Sequence, residues 1–87
     1  MQLFEFDGTK SLSNQNKHGL SFEEIQVLWQ DTDLIEIPAM SEGELRYLVV
    51  GKIADKHWSA VITYRAGDIR IISARRSRET EVVIYES

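Results

Sequence analysis

The sequence predicts an α+β fold in a single small domain of residues 1–87. An N-terminal strand and two helices pack on one face of an antiparallel β-meander, closed by a short C-terminal helix. Three observations predict it. Between residues 8 and 31 apolar residues recur at helical spacing, and from Leu34 onward the period falls to two. Short turn signals at Ala54-Asp55-Lys56 and Gly67-Asp68 join consecutive alternating runs, which makes neighbours antiparallel. No linker rich in Pro, Gly or Ser divides the 87 residues, so one core is built and not two.

In the first element, LFEFD, Leu3, Glu5 and Asp7 alternate with Phe4 and Phe6, a short strand with one apolar face. Asp7 is placed to cap a helix running to about His18, because its carboxylate accepts from free N–H groups at a helix start. Leu12 is the clearest core residue of its weak stripe. Gly19 supplies the left-handed stop, and His18 sits where a cation favours a helix C-terminus. Ser21-Phe22-Glu23-Glu24 is a capping box opening a second helix to about Asp31, with Phe22, Ile25, Leu28 and Trp29 as its buried stripe.

LIEIPAM comes next, a strand that Pro38 confines to an edge or a bulge. ELRYLVVGKIA, HWSAVITYR and IRIISAR are the longer strands. The last segment, SRETEVVIYES, carries Ser77 with Glu79 and Glu81 in a first turn, which predicts a short helix. Its run Val82-Val83-Ile84 would also suit a strand.

The charge is −4 overall but unevenly placed. Residues 1–45 hold two lysines against nine carboxylates, whereas residues 46–78 hold eight Lys or Arg against two. A basic surface can therefore coexist with an acidic total. Cysteine is absent, which excludes disulfides and thiolate metal sites. No apolar run approaches the ~18 residues of a membrane span, and the start MQLFEFDGTK is no signal peptide, so a cytoplasmic protein is expected.

Four of the six arginines fall in DIRIISARRSR, residues 68–78. On the preceding strand, His57, Ser59, Val61, Thr63 and Arg65 share one face, while Trp58, Ala60, Ile62 and Tyr64 share the core face. With Gly67-Asp68 as a two-residue loop, Arg65 stands opposite Arg70 and Thr63 opposite Ile72. Two facing guanidiniums need an anion between them. That anion is either a phosphate or a carboxylate, from Glu44 or from the acidic N-terminal half. Arg75, Arg76 and Arg78 fan out around one end of the sheet. His57 lies on the same polar face, either as a proton-transfer group or as a bystander, since histidine can trade a proton near neutral pH. Neither histidine has metal-ligand spacing around it. No Gly-rich phosphate loop or nucleophile motif is present.

Taken together, FEFD with Lys10, N-x-x-KHG-x-SFEE over Asn14 to Glu24, GE-x-R over Gly43 to Arg46, Gly51, T-x-R over Thr63 to Arg65, and IRIISARR with Glu81 and Tyr85 resemble the BrnT family of bacterial toxins. The resemblance implies a small RelE-like ribonuclease of a type II toxin–antitoxin system, working without a cofactor. It implies RNA as substrate and a BrnA-like antitoxin as partner, whose ribbon-helix-helix part binds DNA, so that DNA is met only through the complex.

Cleavage through the 2′-hydroxyl requires a base, cations for the developing phosphorane charge, and an acid for the leaving oxygen. Under the resemblance, Arg65 and Arg75 match the family pattern and are expected at the scissile phosphate. Arg46, Arg70, Arg76 and Arg78 are expected to place the RNA. His57 or Lys52 would transfer protons, although His57 lies outside the motif. Val82 and Tyr85 are the expected apolar anchors for the partner. The chain departs from the family pattern in its acidic charge, in Asp55-Lys56 where Gly-Arg is common, and in EVVIYES where the terminal helix is usually rich in Arg and Glu. Those departures leave open a second reading, a non-catalytic module that binds an antitoxin-like partner and takes part in operon repression.

Overall fold

The computed structural model describes residues 3–87. Its elements are β1 (Phe4–Glu5), α1 (Gly8–His18), a 3-10 helix (Glu24–Gln30), β2 (Ile35–Ser41), β3 (Glu44–Ile53), β4 (Lys56–Arg65), β5 (Asp68–Arg76) and α2 (Glu79–Glu86). The strands form one sheet in the order β1-β5-β4-β3-β2. β2 to β5 make the antiparallel meander, and β1 adds parallel to β5.

α1 forms where its caps dictate. Asp7 accepts from the N–H groups of Thr9 and Lys10, and Gly19 ends the helix at φ 99°. Its inner face is not the expected one. Leu12 is 65% exposed, while Ser11 and Asn14 are the buried residues. The reason lies in β5. β1 pairs only with Ile69 and Arg70, so the later part of β5 is a sheet edge whose N–H groups need acceptors. Asn14 Oδ1 accepts from the Ala74 N–H, its Nδ2 donates to Leu20 O, and Ser11 Oγ accepts from the Phe22 N–H. A leucine there would satisfy none of them.

The capping box is present: Glu24 N–H donates to Ser21 Oγ, and Ser21 N–H donates to Glu24 Oε1. The helix it opens is 3-10 and not α. Residues three apart eclipse in that geometry, which stacks Phe22, Ile25 and Leu28 in one row, each at 0–1% exposure. Trp29 stays half-buried, edge-on against Phe4. These side chains meet Val49, Trp58, Ala60, Ile62, Ile69, Ile71 and Ala74 from the sheet, and that is the core. The face predicted for Trp58, Ala60 and Ile62 is therefore the core face, but Tyr64, expected there too, is 41% exposed and donates its hydroxyl to Glu36.

Pro38 sits on β2, an edge strand paired only with β3. Two-residue turns close the hairpins, Ala54-Asp55 with φ 49° and 68°, and Ala66-Gly67 with φ 52° and 86°. A left-handed pair of this kind matches the strand twist. Placing Gly67 second in its turn corrects the expected register: Arg65 faces Asp68, and Thr63 faces Arg70. Ile72 has no opposite residue, a β-bulge that restores Ser73 opposite Val61.

The C-terminal segment is helical, but it does not join the other helices. α2 lies across the opposite sheet face, where it covers Ser59 and the Arg75 side chain. The domain is thus three layers, with a helical layer on each side of the sheet.

Candidate functional site

The face beneath α2 carries the basic residues in two groups. The first is covered. Lys52 and His57 are direct cross-strand neighbours on β3 and β4, and Ser59, two residues on, faces Arg75 on β5. α2 meets each of them with a carboxylate. Glu81 receives Arg75 Nη1 and Nη2 at 2.8 Å each, Ser59 Oγ at 2.8 Å and the Arg78 N–H at 2.9 Å. Glu86 lies 2.7 Å from His57 Nε2 and 3.8 Å from Lys52 Nζ.

The electrostatics follow from these contacts. The Arg75 hydrogen bonds hold the Glu81 carboxyl down at about 2 against the rise burial would cause, with the Arg78 N–H and Ser59 adding to the effect. Arg75 is raised in return, first by that hydrogen bond. His57 lowers the Glu86 carboxyl, helped by Lys52. Tyr85 stacks edge-on to His57 at 5.3 Å and donates to Asp31 Oδ2 at 2.6 Å, which pushes the phenol up to about 12. Burial raises the Asp31 carboxyl, but the hydrogen bonds from Tyr85 and from the Asp33 and Lys52 N–H groups outweigh it, and the net shift is downward.

The second group is open. Thr63, Arg70 and Glu5 form a row across β4, β5 and β1, and Arg46, one residue beyond the Tyr47–Ile62 pair, continues it on β3. Glu5 Oε1 stands 3.3 Å from Arg70 Nη1 and 3.6 Å from Arg65 Nη1. A carboxylate of the acidic N-terminal half therefore supplies the anion between these arginines. Arg70 and Glu5 are half-buried and Arg65 is exposed, and with contacts of 3.3 and 3.6 Å the net strength is small. Arg46 contacts Glu44 at 3.4 Å, and its buried Nε has no partner among the described residues.

The structure separates residues that sequence alone grouped together. On β4, Arg65 lies six residues from Ser59, the partner of Arg75, which is about 20 Å of strand. Held on Glu5 and Glu81 at opposite ends, Arg65 and Arg75 do not share one phosphate. Arg76 turns to the core face, its guanidinium 5.8 Å over the Trp58 ring and its Nε donating to His57 O. Arg78 stands at the start of α2 with an exposed side chain. Of the expected partner anchors, Val82 and Tyr85 are half-buried, whereas Val83 and Ile84 are 62% and 50% exposed.

Glu81, Glu86 and Ser59 were missed as site residues. Glu81 was visible only as a motif position. Glu86 had no sequence signal, because its role depends on α2 crossing the sheet. Among the described residues no group of three His, Cys, Asp or Glu comes together as a metal-ligand set. Among the described residues no helix is long and apolar enough to cross a membrane.

The family model described as "Ribonuclease toxin, BrnT, of type II toxin-antitoxin system" matches residues 6–81. The chain belongs to the BrnT family. Membership makes it a ribonuclease toxin by family, with an RNA target and an antitoxin partner implied. No curated protein matches the chain. The BrnT match begins at Phe6 and ends at Glu81, so it includes both ends of the Arg75–Glu81 pair and stops short of Glu86.

Proposed function

We propose that the chain is an endoribonuclease toxin that cleaves RNA without a metal ion. In this reading the 2′-hydroxyl oxygen bonds to the adjacent phosphorus as the bond to the 5′-oxygen breaks, leaving a 2′,3′-cyclic phosphate and a 5′-hydroxyl, and arginine carries the charge that develops. The observation that supports it is the juxtaposition of Lys52, His57 and Arg75 on three adjacent strands. Arg75 is the group for the phosphorane oxygens, because its planar fork is always charged and fits a phosphate. His57 moves the proton, its ring oriented by Glu86 through Nε2. Lys52 adds a second positive charge beside it. Arg46, Arg65 and Arg70 hold the chain further along the sheet, with Arg78 at the near end. The partner is an antitoxin of the BrnA type with a ribbon-helix-helix part, and DNA is reached only through that complex. A RelE-like ancestry belongs to the same reading.

A second reading has an observation of its own. Every cation of the covered group already faces a carboxylate of α2. A toxin-fold module that only binds an antitoxin-like partner and takes part in repression would be built in this way.

Cleavage of purified RNA at low salt in the presence of a chelator separates the two. The first reading expects cleavage that Arg75→Ala abolishes, while Arg65→Ala chiefly raises KM. Folded wild-type protein that binds its antitoxin but cuts neither free nor ribosome-bound RNA would establish the second.

A further inference from the structure

The carboxylates that meet the basic face differ in how firmly they are held. Glu86 is half-exposed, lies at the last turn of α2, and reaches His57 and Lys52 through a single oxygen. Glu5 is also accessible, at distances above 3.2 Å from its arginines. Glu81 is different. It is 7% exposed and accepts from four donors on β4, on β5 and at the start of α2, at 2.8 to 2.9 Å. An incoming phosphate would have to break all four of those bonds to displace it, with little access to do so. Glu5 is the carboxylate a phosphate can replace, and Glu86 is held less firmly than Glu81.

A guanidinium has five N–H donors and more than one usable edge. Glu81 occupies the Nη1–Nη2 edge, and Nη1 also donates to Arg76 O at 3.2 Å. The adjoining edge, Nε with the second hydrogen of Nη2, has no partner among the described residues, and the side chain is about a quarter exposed. Two parallel donors along that edge match two phosphate oxygens.

We propose that Glu81 is a positioning residue, which grips the Nη1–Nη2 edge of Arg75 so that the Nε–Nη2 edge is presented to an RNA phosphate. The inference rests on the reading that Arg75 meets the scissile phosphate. An arginine pinned in this way has given up its rotamer freedom before RNA arrives, so less is lost on forming the reactive geometry. Ser59 and the Arg78 N–H brace the carboxylate at Oε1, the oxygen that also accepts from Arg75 Nη1.

The test combines kinetics with a signal independent of turnover. The Arg75 Nε–H resonance is followed by NMR in wild-type protein as an RNA oligonucleotide made uncleavable by one 2′-deoxy nucleotide is added. kcat and KM are measured for wild type, Glu81→Gln, Glu81→Asp and Ser59→Ala. The proposal expects the Nε–H signal to shift on titration in wild type. It also expects Glu81→Gln to lower kcat on the order of 100-fold with KM nearly unchanged. Glu81→Asp, which keeps the charge, recovers part of kcat, and Ser59→Ala, which removes one brace from Glu81, falls between wild type and Glu81→Gln. Glu81→Gln that remains folded with wild-type kcat overturns it. So does an Nε–H signal that oligonucleotide leaves unmoved, a readout that holds even if Glu81→Gln does not fold. If wild type binds the oligonucleotide with an Nε shift yet cleaves nothing, the catalytic reading falls, while the positioning of Arg75 for phosphate stands.

Discussion

Asn14 completes the sheet edge at Ala74: its Oδ1 accepts the Ala74 N–H at 3.2 Å, and its Nδ2 donates to Leu20 O at 2.8 Å. One polar side chain on α1 thereby satisfies two backbone groups from different elements.

Asn14→Leu removes both bonds and leaves those groups unpaired beside the core. The expected cost is about 3 kcal/mol. Leu12→Ser, on the solvent side of the same helix, should stay within about 0.5 kcal/mol of wild type. Urea midpoints of the two variants check both, and equal losses would contradict the orientation of α1.

Glu81 makes stability depend on acid. Its carboxyl is held at about 2, with Arg75 as the main cause, against an ordinary 4.5 in the unfolded chain. A carboxylate depressed on folding stabilises above its unfolded pKa, and that contribution is lost as pH falls through the folded value. Between about pH 5 and pH 2 this group should therefore withdraw on the order of 3 kcal/mol. Denaturant unfolding across that window should show Glu81→Gln less stable than wild type at pH 7, with a shallower acid dependence.

Gly51 is required by space and not by backbone angle. A Cβ there would lie 2.9 Å from Leu34 Cδ1, 3.0 Å from Leu28 Cδ2 and 3.2 Å from Asp31 Oδ2. The two leucine tips can shift, but Asp31 is tied to Tyr85 and to the Lys52 N–H. Gly51→Ala is expected to destabilise by about 1–3 kcal/mol. Thermal melting of the variant tests it, and an unchanged midpoint would mean that the 3-10 helix moves freely over the sheet.

Glu5 occupies the anion position between Arg65 and Arg70. Under the proposed function, Glu5→Gln frees both cations for phosphate while disturbing the fold little, since exposed ion pairs add about 1 kcal/mol or less. RNA affinity at low salt should rise, and the slope of log K against log salt should steepen by about one. Fluorescence anisotropy over a salt series measures both. An affinity that falls in Glu5→Gln would show that Glu5 orients the two arginines and does not compete for them.

Local chemistry carried much of this protein's form into its sequence. The Asp7 and Ser21 caps, the Gly19 stop and the Phe22, Ile25, Leu28 row depend only on residues a few positions apart, and each was readable. The alternation in β4 separated the core face correctly for Trp58, Ala60 and Ile62, because side chains alternate whatever the strand pairs with, but it did not show that the core ends before Tyr64. The basic character of the second half was a matter of counting.

Tertiary structure decided what those residues do. A one-position change in the turn at Ala66-Gly67, with the bulge at Ile72, set which residues face Arg65 and Arg70. No local signal distinguishes those registers. Leu12 lost its place to Asn14 because an unpaired strand edge, created by the shortness of β1, needs hydrogen bonds more than methyl groups. Above all, the passage of α2 to the far face brought Glu81 to Arg75 and Glu86 to His57 and Lys52. Those partners are distant in sequence or separated by a change of layer, and sequence periodicity reports which face a side chain takes, not what will be laid across it.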